Sequence, residues 1–301
     1  MKQKWKTLLF VVGSMTKVYN WIRKQKEWEE KIENIKVNIL CPDGDPNDAT
    51  VVAFTDGLAL NGRQYGVVYA REGRGDERLT TALMQTRLVP WRTMLHFSSV
   101  LERHVEIVRR AARSAGVELP PPPSLIMHLT YLSADSILEN EQKHKHYHRL
   151  INMPLDPSLR LSHLSARHLD QVWELRPSYF SDSYKPVIAA ALTHNVSYGI
   201  LALRPDNTEM LVSVVIQGEH GGLAIGRTHP DYRHRGLNLL VGMHVMRDMA
   251  QQGYSANGTT GTTNDIAIKF METNSFQFVG KVMHVDISPE KSEIFENKAN
   301  L

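Results

Sequence analysis

The chain has a single cysteine, Cys41, among 301 residues. One cysteine excludes an intramolecular disulfide framework and indicates a reducing, intracellular compartment. Acidic and basic residues nearly balance, with a net charge of +3, and aromatic residues make up only 8%. So small a charge gives no support to nucleic-acid binding, and no apolar run approaches the roughly 20 residues of a membrane span. We therefore expect an intracellular protein without a membrane span or a nucleic-acid partner.

The first residues leave two intracellular locations open. Lys2, Lys4 and Lys6 precede a short apolar run, and no acidic residue appears before Glu27. This pattern occurs in mitochondrial presequences and also in the first turn of an N-terminal helix, the interpretation that we favour. The location is therefore mitochondrial or cytoplasmic.

The remaining composition, 42% hydrophobic and 22% charged, is that of a globular protein long enough for two domains. Gly116 ends a helical pattern, and Pro120–Pro123 cannot continue it. We predict an N-terminal α/β domain at residues 1–116 and a proline-rich connector with a helical or irregular bridge at 117–155. A C-terminal domain follows at 156–295.

Hydrophobic periodicity predicts both helices and strands. In the N-terminal half it predicts helices over residues 7–33 and 91–115, and strands at Lys36–Cys41, Thr50–Thr55 and Tyr65–Ala70. In the C-terminal half it predicts helices over Ser162–Leu175 and Pro186–Leu192, from Gly236 onward and over Asp265–Thr273. The strands predicted there are Ser197–Leu203, Glu209–Gln217, Leu223–Arg227 and Phe278–Ile287.

Alternate histidines at His144, His146 and His148 raise the question of a metal site. Such a set would converge on a metal only in an extended segment, and the flanking lysines would repel a cation. We interpret the segment as a solvated basic face and predict no metal.

The stretch from His229 to Leu240 joins an apolar strand to an amphipathic helix through a basic turn that contains Gly236. The first N–H groups of a helix have no internal acceptor, and the helix dipole adds positive charge there. Such a turn can hold a phosphate or pyrophosphate, and a glycine lets the backbone approach it closely. The turn therefore predicts an anion site.

This turn resembles motif A of the GCN5-related N-acetyltransferase (GNAT) superfamily, whose pattern is Gln/Arg-x-x-Gly-x-Gly/Ala. The residues from Arg233 to Asn238 read Arg-His-Arg-Gly-Leu-Asn, so that only the final small residue is replaced. Thr228–Arg233 is similar to the Thr-x-Pro-Glu-Tyr-Arg segment of the glycine N-acyltransferase family. Asn264 and Ala267 resemble that family's Asn-x-x-Ala region.

The resemblance implies an α/β fold whose C-terminal domain is a GNAT-type mixed sheet flanked by helices. It implies an acyl-CoA donor, and glycine or another small amine as the acceptor. The backbone near the end of the third C-terminal strand would also help to polarise the thioester oxygen. The cofactor-binding residues predicted on these grounds are Ile225, Arg227, Arg233, His234, Arg235, Gly236, Asn238 and, on the pantetheine side, Asn264.

The catalytic base is the weakest part of the resemblance. The family's catalytic glutamate, counted back without gaps from Arg233, falls on Gly222, and the superfamily's thiolate-protonating tyrosine falls on Met271. A shift of two or three residues would bring Glu219 or His220 to the catalytic position. Glutamate matches the family's residue type, whereas the ordinary pKa of a histidine side chain lies closer to neutral. A CoA-binding or scaffold protein without catalysis is the alternative.

Overall fold

The structure is a computed structural model and describes residues 14–41, 49–56, 60–117, 119, 126–143, 145–178 and 180–288. The first lysines, His144 and the residues after 288 lie outside the described part. The helices are α1 (Ser14–Glu29), α2 (Arg74–Gln85), α3 (Glu102–Ser114), α4 (Ala134–Lys143), α5 (Lys145–Ile151), α6 (Leu169–Leu175), α7 (Lys185–His194), α8 (Leu237–Gln251) and α9 (Asp265–Thr273). The strands are β1 (Lys36–Leu40), β2 (Val51–Asp56), β3 (Gln64–Tyr69), β4 (Leu95–Leu101), β5 (Met127–Leu132), β6 (Leu159–His163), β7 (Ser197–Leu203), β8 (Glu209–Gln217), β9 (Leu223–Thr228), β10 (Ala256–Gly261) and β11 (Gln277–Ile287).

These elements form a mixed α/β fold with two sheets, which confirms the predicted fold class. A seven-stranded mixed sheet has the order β1-β2-β3-β4-β11-β5-β10, and a four-stranded sheet has the order β6-β7-β8-β9. Most of the predicted strands and helices appear within a few residues of their predicted bounds.

The described residues divide into two compact units. The first contains the chain up to Leu129, Thr259–Asp265 and the chain from Val279, and the second contains Thr130–Gly258 and Ile266–Phe278. This division differs from the predicted domain bounds, because the bridge from residue 130 belongs to the second unit. The last described strand returns to the first unit because β11 pairs antiparallel with β4. Pairing between segments so distant in sequence leaves no local signal.

In the first unit, β1, β2 and β3 pair antiparallel, and β3 pairs in parallel with β4 across the connection made by α2. One face of this sheet is apolar and packs against α2 and α3. Phe54, Phe97, Leu79 and Val108 are fully or almost fully buried in that core. The apolar stripes of the two helices explain this packing.

In the second unit, the four strands are antiparallel throughout, and α8 lies on the sheet. Leu240, Val241 and Val245 of α8 share a core with Ile200 and Val212 of the strands. This packing aligns the start of α8 with the end of β9, where the basic turn lies.

The predicted helix over residues 91–115 is wrong in its first half. Leu95–Leu101 forms β4, and only Glu102–Ser114 is helical. Partners on both sides, β3 and β11, override the helical periodicity in this segment. The helix predicted from Ser162 also begins later, because Leu159–His163 forms β6. Helix α2 and strands β5 and β10 were not predicted.

Residues 145–151 are helical, so this part of the histidine segment does not adopt the extended conformation that a metal site would need. Within the described ranges, no group of three or more His, Cys, Asp or Glu residues is arranged to hold a metal ion. None of the helices in the described part of the chain has the length and apolar character required to span a membrane.

The core of the first unit predicts that alanine substitutions of two leucines change the free energy of unfolding by unequal amounts. Leu79 of α2 is 0% exposed, whereas Leu88 is 60% exposed. Leu79→Ala should lower the free energy of unfolding by about 2–5 kcal/mol because it leaves a cavity. The control Leu88→Ala should change it by less than about 0.5 kcal/mol. Urea unfolding followed by circular dichroism measures both, and equal midpoints would contradict this core.

Candidate functional site

Strand β9 contains a bulge near its centre. Ile225 has a φ of +48°, and the pairing register of β9 with β8 shifts between Val214 and Ile216. A left-handed conformation is an outlier for a β-branched residue, and a bulge leaves a residue outside the hydrogen-bonded ladder. Of the predicted residues, Ile225 therefore lies at an interruption of strand pairing inside β9, and Arg227 pairs with Val214 just beyond it.

The side chain of Asn238, in the first turn of α8, ties the helix to both strands of this hairpin. Its amide nitrogen donates to the carbonyl oxygens of Val214 at 3.3 Å and Arg227 at 3.4 Å. The amide therefore faces β8 and β9, and the role of Asn238 in cofactor binding stays a prediction. The amide also braces the bulge from the helix side.

The turn before α8 has two left-handed residues. His234 has a φ of +62°, and Gly236, the N-cap of α8, has a φ of +73°. The first bond of the helix runs from the Leu240 N–H to the Gly236 carbonyl at 3.1 Å, so the N–H groups of the first three helical residues, 237–239, have no acceptor within the helix. Left-handed residues in such a turn make a backbone concavity that suits an anion. Glycine adopts this φ without strain.

Two arginines add positive charge to the exposed turn. The Arg233 Nε donates to the Thr228 carbonyl at 3.3 Å, and an Arg235 amino group donates to the Asp231 carbonyl at 3.2 Å. The Arg235 guanidinium also lies over the Tyr232 ring, 5.1 Å from its centroid. Both guanidinium groups are thus bonded to the backbone of the segment that leads into α8, whose N-terminal dipole favours an anion.

Asn264 lies in the first unit, whereas the other predicted site residues lie in the second. It is exposed and directly precedes α9, and its N–H donates to the Gly261 carbonyl at 3.0 Å. Its predicted contact with the pantetheine arm stays a prediction.

The two candidate bases lie in the turn between β8 and β9. The Gly218 N–H donates to the Gly222 carbonyl at 2.8 Å and closes the turn. Glu219 lies inward, with 9% of its side chain exposed, and its Oε1 is 3.5 Å from Nδ1 of His220. Its other oxygen, Oε2, accepts a 2.6 Å hydrogen bond from the Tyr184 hydroxyl. The structure therefore brings both candidates together and adds a tyrosine.

The surroundings of Glu219 give it different acid–base properties from those of a candidate base. Burial raises the pKa of Glu219, but the neighbouring imidazole and the hydrogen bonds from it and from Tyr184 outweigh this effect and lower the pKa to about 2. The carboxylate therefore stays ionised at neutral pH and is a weak proton acceptor. It is better suited to orient an imidazole than to deprotonate an amine.

Gly222, where the ungapped alignment places the family's glutamate, has no room for a side chain. A Cβ at this position would lie 2.1 Å from Oδ1 and 2.7 Å from the backbone oxygen of Asn257 in β10. The close approach of this turn to β10 thus explains the glycine. A carboxylate can still be supplied from the turn, three residues earlier, by Glu219.

Sequence reasoning missed Tyr184 and Asn257. Tyr184 directly precedes α7 and lies 35 positions from its partner Glu219, a separation at which no residue pattern signals contact. Asn257 is 1% exposed in a strand that was itself not predicted. Both residues emerge only when the strands and the turn are assembled.

No family model matches the chain, and no curated protein sequence matches it. Among solved structures, the chain is similar to an X-ray structure of a Drosophila protein with a TM-score of 0.68 and 17% identity. That match covers 91% of this chain and 89% of the Drosophila chain. It is also similar to a GCN5-related N-acetyltransferase from Kribbella flavida, with a TM-score of 0.52 and 11% identity over 92% and 96% of the two chains. At these identities the likeness concerns the fold, which this chain shares with that N-acetyltransferase.

Proposed function

We propose that the chain is an acyl-CoA-dependent N-acyltransferase, with glycine or another small amine as the acceptor. The supporting observation is the run from β9 into α8, in which a left-handed bulge at Ile225 is followed by the left-handed residues His234 and Gly236 before a helix. Acyl transfer from a thioester needs a donor to the carbonyl oxygen and a site for the CoA phosphates. The bulge and the turn have the chemistry for these two tasks.

The CoA pyrophosphate would bind at the Arg233–Gly236 turn. Its backbone N–H groups and two guanidinium groups suit a diphosphate. The arm of CoA would then follow β9 back toward Ile225, along a strand of six residues that is about 20 Å long. Asn264, which belongs to the first unit, stays a pantetheine contact implied by the resemblance alone.

His220 would act as the base, and Glu219 would orient it. The acceptor nitrogen attacks the thioester carbonyl carbon, and its proton passes to the imidazole. The C–N bond forms, the C–S bond breaks, and the thiolate of CoA leaves and takes up a proton. A backbone N–H at the bulge would stabilise the negative charge on the carbonyl oxygen. Because a thiol is acidic, the reaction tolerates methionine at Met271, where relatives have tyrosine.

Glycine as the acceptor rests on the resemblance of Thr228–Arg233 to the glycine N-acyltransferase family. The alternative, a CoA-binding or scaffold protein without catalysis, is motivated by the residues at three positions, Gly222, Asn238 and Met271, where active relatives have functional residues. An intracellular location, mitochondrial or cytoplasmic, stays a prediction.

The pyrophosphate assignment predicts that Gly236→Ala weakens coenzyme A binding about tenfold or more, because a side chain distorts the left-handed turn. Gly253→Ala is the matched control, since Gly253 has a φ of +76° just beyond the other end of α8. Both variants carry similar backbone strain, but only the first changes the turn. Calorimetry with coenzyme A measures the affinities, and equal affinities would refute the assignment.

The assignment of the base predicts that His220→Asn lowers kcat about 100-fold or more while KM for the acyl-CoA stays unchanged. The control is His148→Asn, an exposed histidine on α5. Release of free thiol from a panel of acyl-CoAs with glycine and other small amines measures turnover. Coenzyme A binding without turnover across the panel would instead favour the scaffold protein.

A further inference from the structure

We infer that Tyr184 is a positioning residue that acts on His220 through Glu219. By fixing the carboxylate, it keeps the proton of the uncharged imidazole on Nδ1 and leaves Nε2 as the atom that accepts a proton. The catalytic consequence of this arrangement rests on the proposed function. The arrangement itself does not.

The two carboxylate oxygens of Glu219 have different partners. Oε2 accepts the Tyr184 hydroxyl at 2.6 Å, and Oε1 lies 3.5 Å from Nδ1 of His220. An ionised carboxylate can only accept hydrogen bonds, so the nitrogen that faces it has to carry the hydrogen. In an uncharged histidine, the hydrogen bond that one ring nitrogen makes decides which of the two nitrogens carries the hydrogen. The contact at Nδ1 therefore selects the tautomer whose Nε2 has a free lone pair.

The hydrogen bond from the Tyr184 hydroxyl holds the Glu219 carboxylate in the orientation that this tautomer requires. A hydrogen bond of 2.6 Å to an ionised carboxylate is short and charge-assisted, and bonds of this kind are stronger than neutral ones. The carboxylate is almost fully buried, so the loss of a donor is not readily compensated by water. Without the tyrosine hydroxyl, Glu219 could rotate, and Oε1 would no longer be held toward Nδ1.

The tyrosine ring is itself held in place. It stacks on Phe180 with ring centroids 4.8 Å apart and planes 5° apart. The Arg176 guanidinium donates to the Trp173 carbonyl at 2.8 Å and to the Phe180 carbonyl at 3.4 Å. The chain before α7 thus presents the hydroxyl from a fixed position.

The charged groups beside Tyr184 in this segment have partners of their own. Asp182 pairs with Arg176 at 3.2 Å, and Lys185 pairs with Asp170 at 2.8 Å. The Tyr184 hydroxyl, the His220 imidazole and a backbone N–H all act on the Glu219 carboxylate. Tyr184 is therefore a contact through which the segment before α7 reaches the Glu219–His220 pair.

The test is the tautomer of His220 in the full chain without ligand, read from two-bond ¹⁵N–¹H spectra above the pH at which the ring is charged. His220→Asn identifies the signal. We expect the Nδ1–H form in the wild type and a shift toward the Nε2–H form in Tyr184→Phe and Glu219→Gln. The control is Tyr147→Phe, because the Tyr147 hydroxyl is buried with no hydrogen-bond partner among the described residues. This variant should leave the spectrum unchanged.

A wild-type Nε2–H form, or an Nδ1–H form retained in Tyr184→Phe, would overturn the inference. If Tyr184→Phe does not fold, Phe180→Leu decides in its place. It keeps the hydroxyl but removes the stacked ring, and it should shift the tautomer in the same direction by a smaller amount. An unchanged tautomer in that variant would overturn the inference.

Kinetics separate this inference from the proposed function. Tyr184→Phe should lower kcat about tenfold with KM for the acyl-CoA unchanged, because the CoA turn is not altered. If no acyl-CoA is turned over by the wild type, the proposed function fails, and the tautomer of the ligand-free chain still decides the inference.

Discussion

The candidate site depends on one strained residue, Ile225, in the middle of β9. A β-branched side chain in the left-handed region costs about 1–3 kcal/mol, and such strain persists only where the surroundings hold it. Here the residue is buried, and the Asn238 amide bonds to a carbonyl on each of the two strands beside the bulge. The same contacts join the first turn of α8 to the strands. The bulge, the turn and the start of the helix are therefore held in place together.

The anion turn at Arg233–Gly236 and the pair of candidate bases, Glu219 and His220, differ in how far apart in sequence their contacts lie. The anion turn is local, because its left-handed residues, arginines and helix N-terminus all lie within a few positions of Gly236. The pair of candidate bases is not local, because the Glu219 carboxylate bonds to a hydroxyl 35 positions away and the turn ends at a glycine that lets β10 approach. A protein of this fold can therefore lose or relocate the carboxylate while it keeps the anion turn.

Local sequence patterns were sufficient to predict a helix or strand where that element packs one regular face against the core. Strands β7, β8 and β9 and helix α8 were predicted close to their observed bounds, since alternation and 3.6-residue periodicity reflect burial on one side. They were insufficient over residues 95–101, where the apolar pattern suits a helix but pairing with β3 and β11 makes a strand. Strand β5, inside the predicted bridge, was missed because its partners are also distant in sequence.

The sequence by itself determined the α/β class and the basic turn before α8, because both depend on residues close together in the chain. It also gave two neighbouring candidates for a base, Glu219 and His220. Only the tertiary structure decided how these two differ. Burial, the tyrosine hydroxyl and the neighbouring imidazole act through space, and together they make Glu219 a fixed anion beside His220. Such contacts between distant segments leave no trace in residue order.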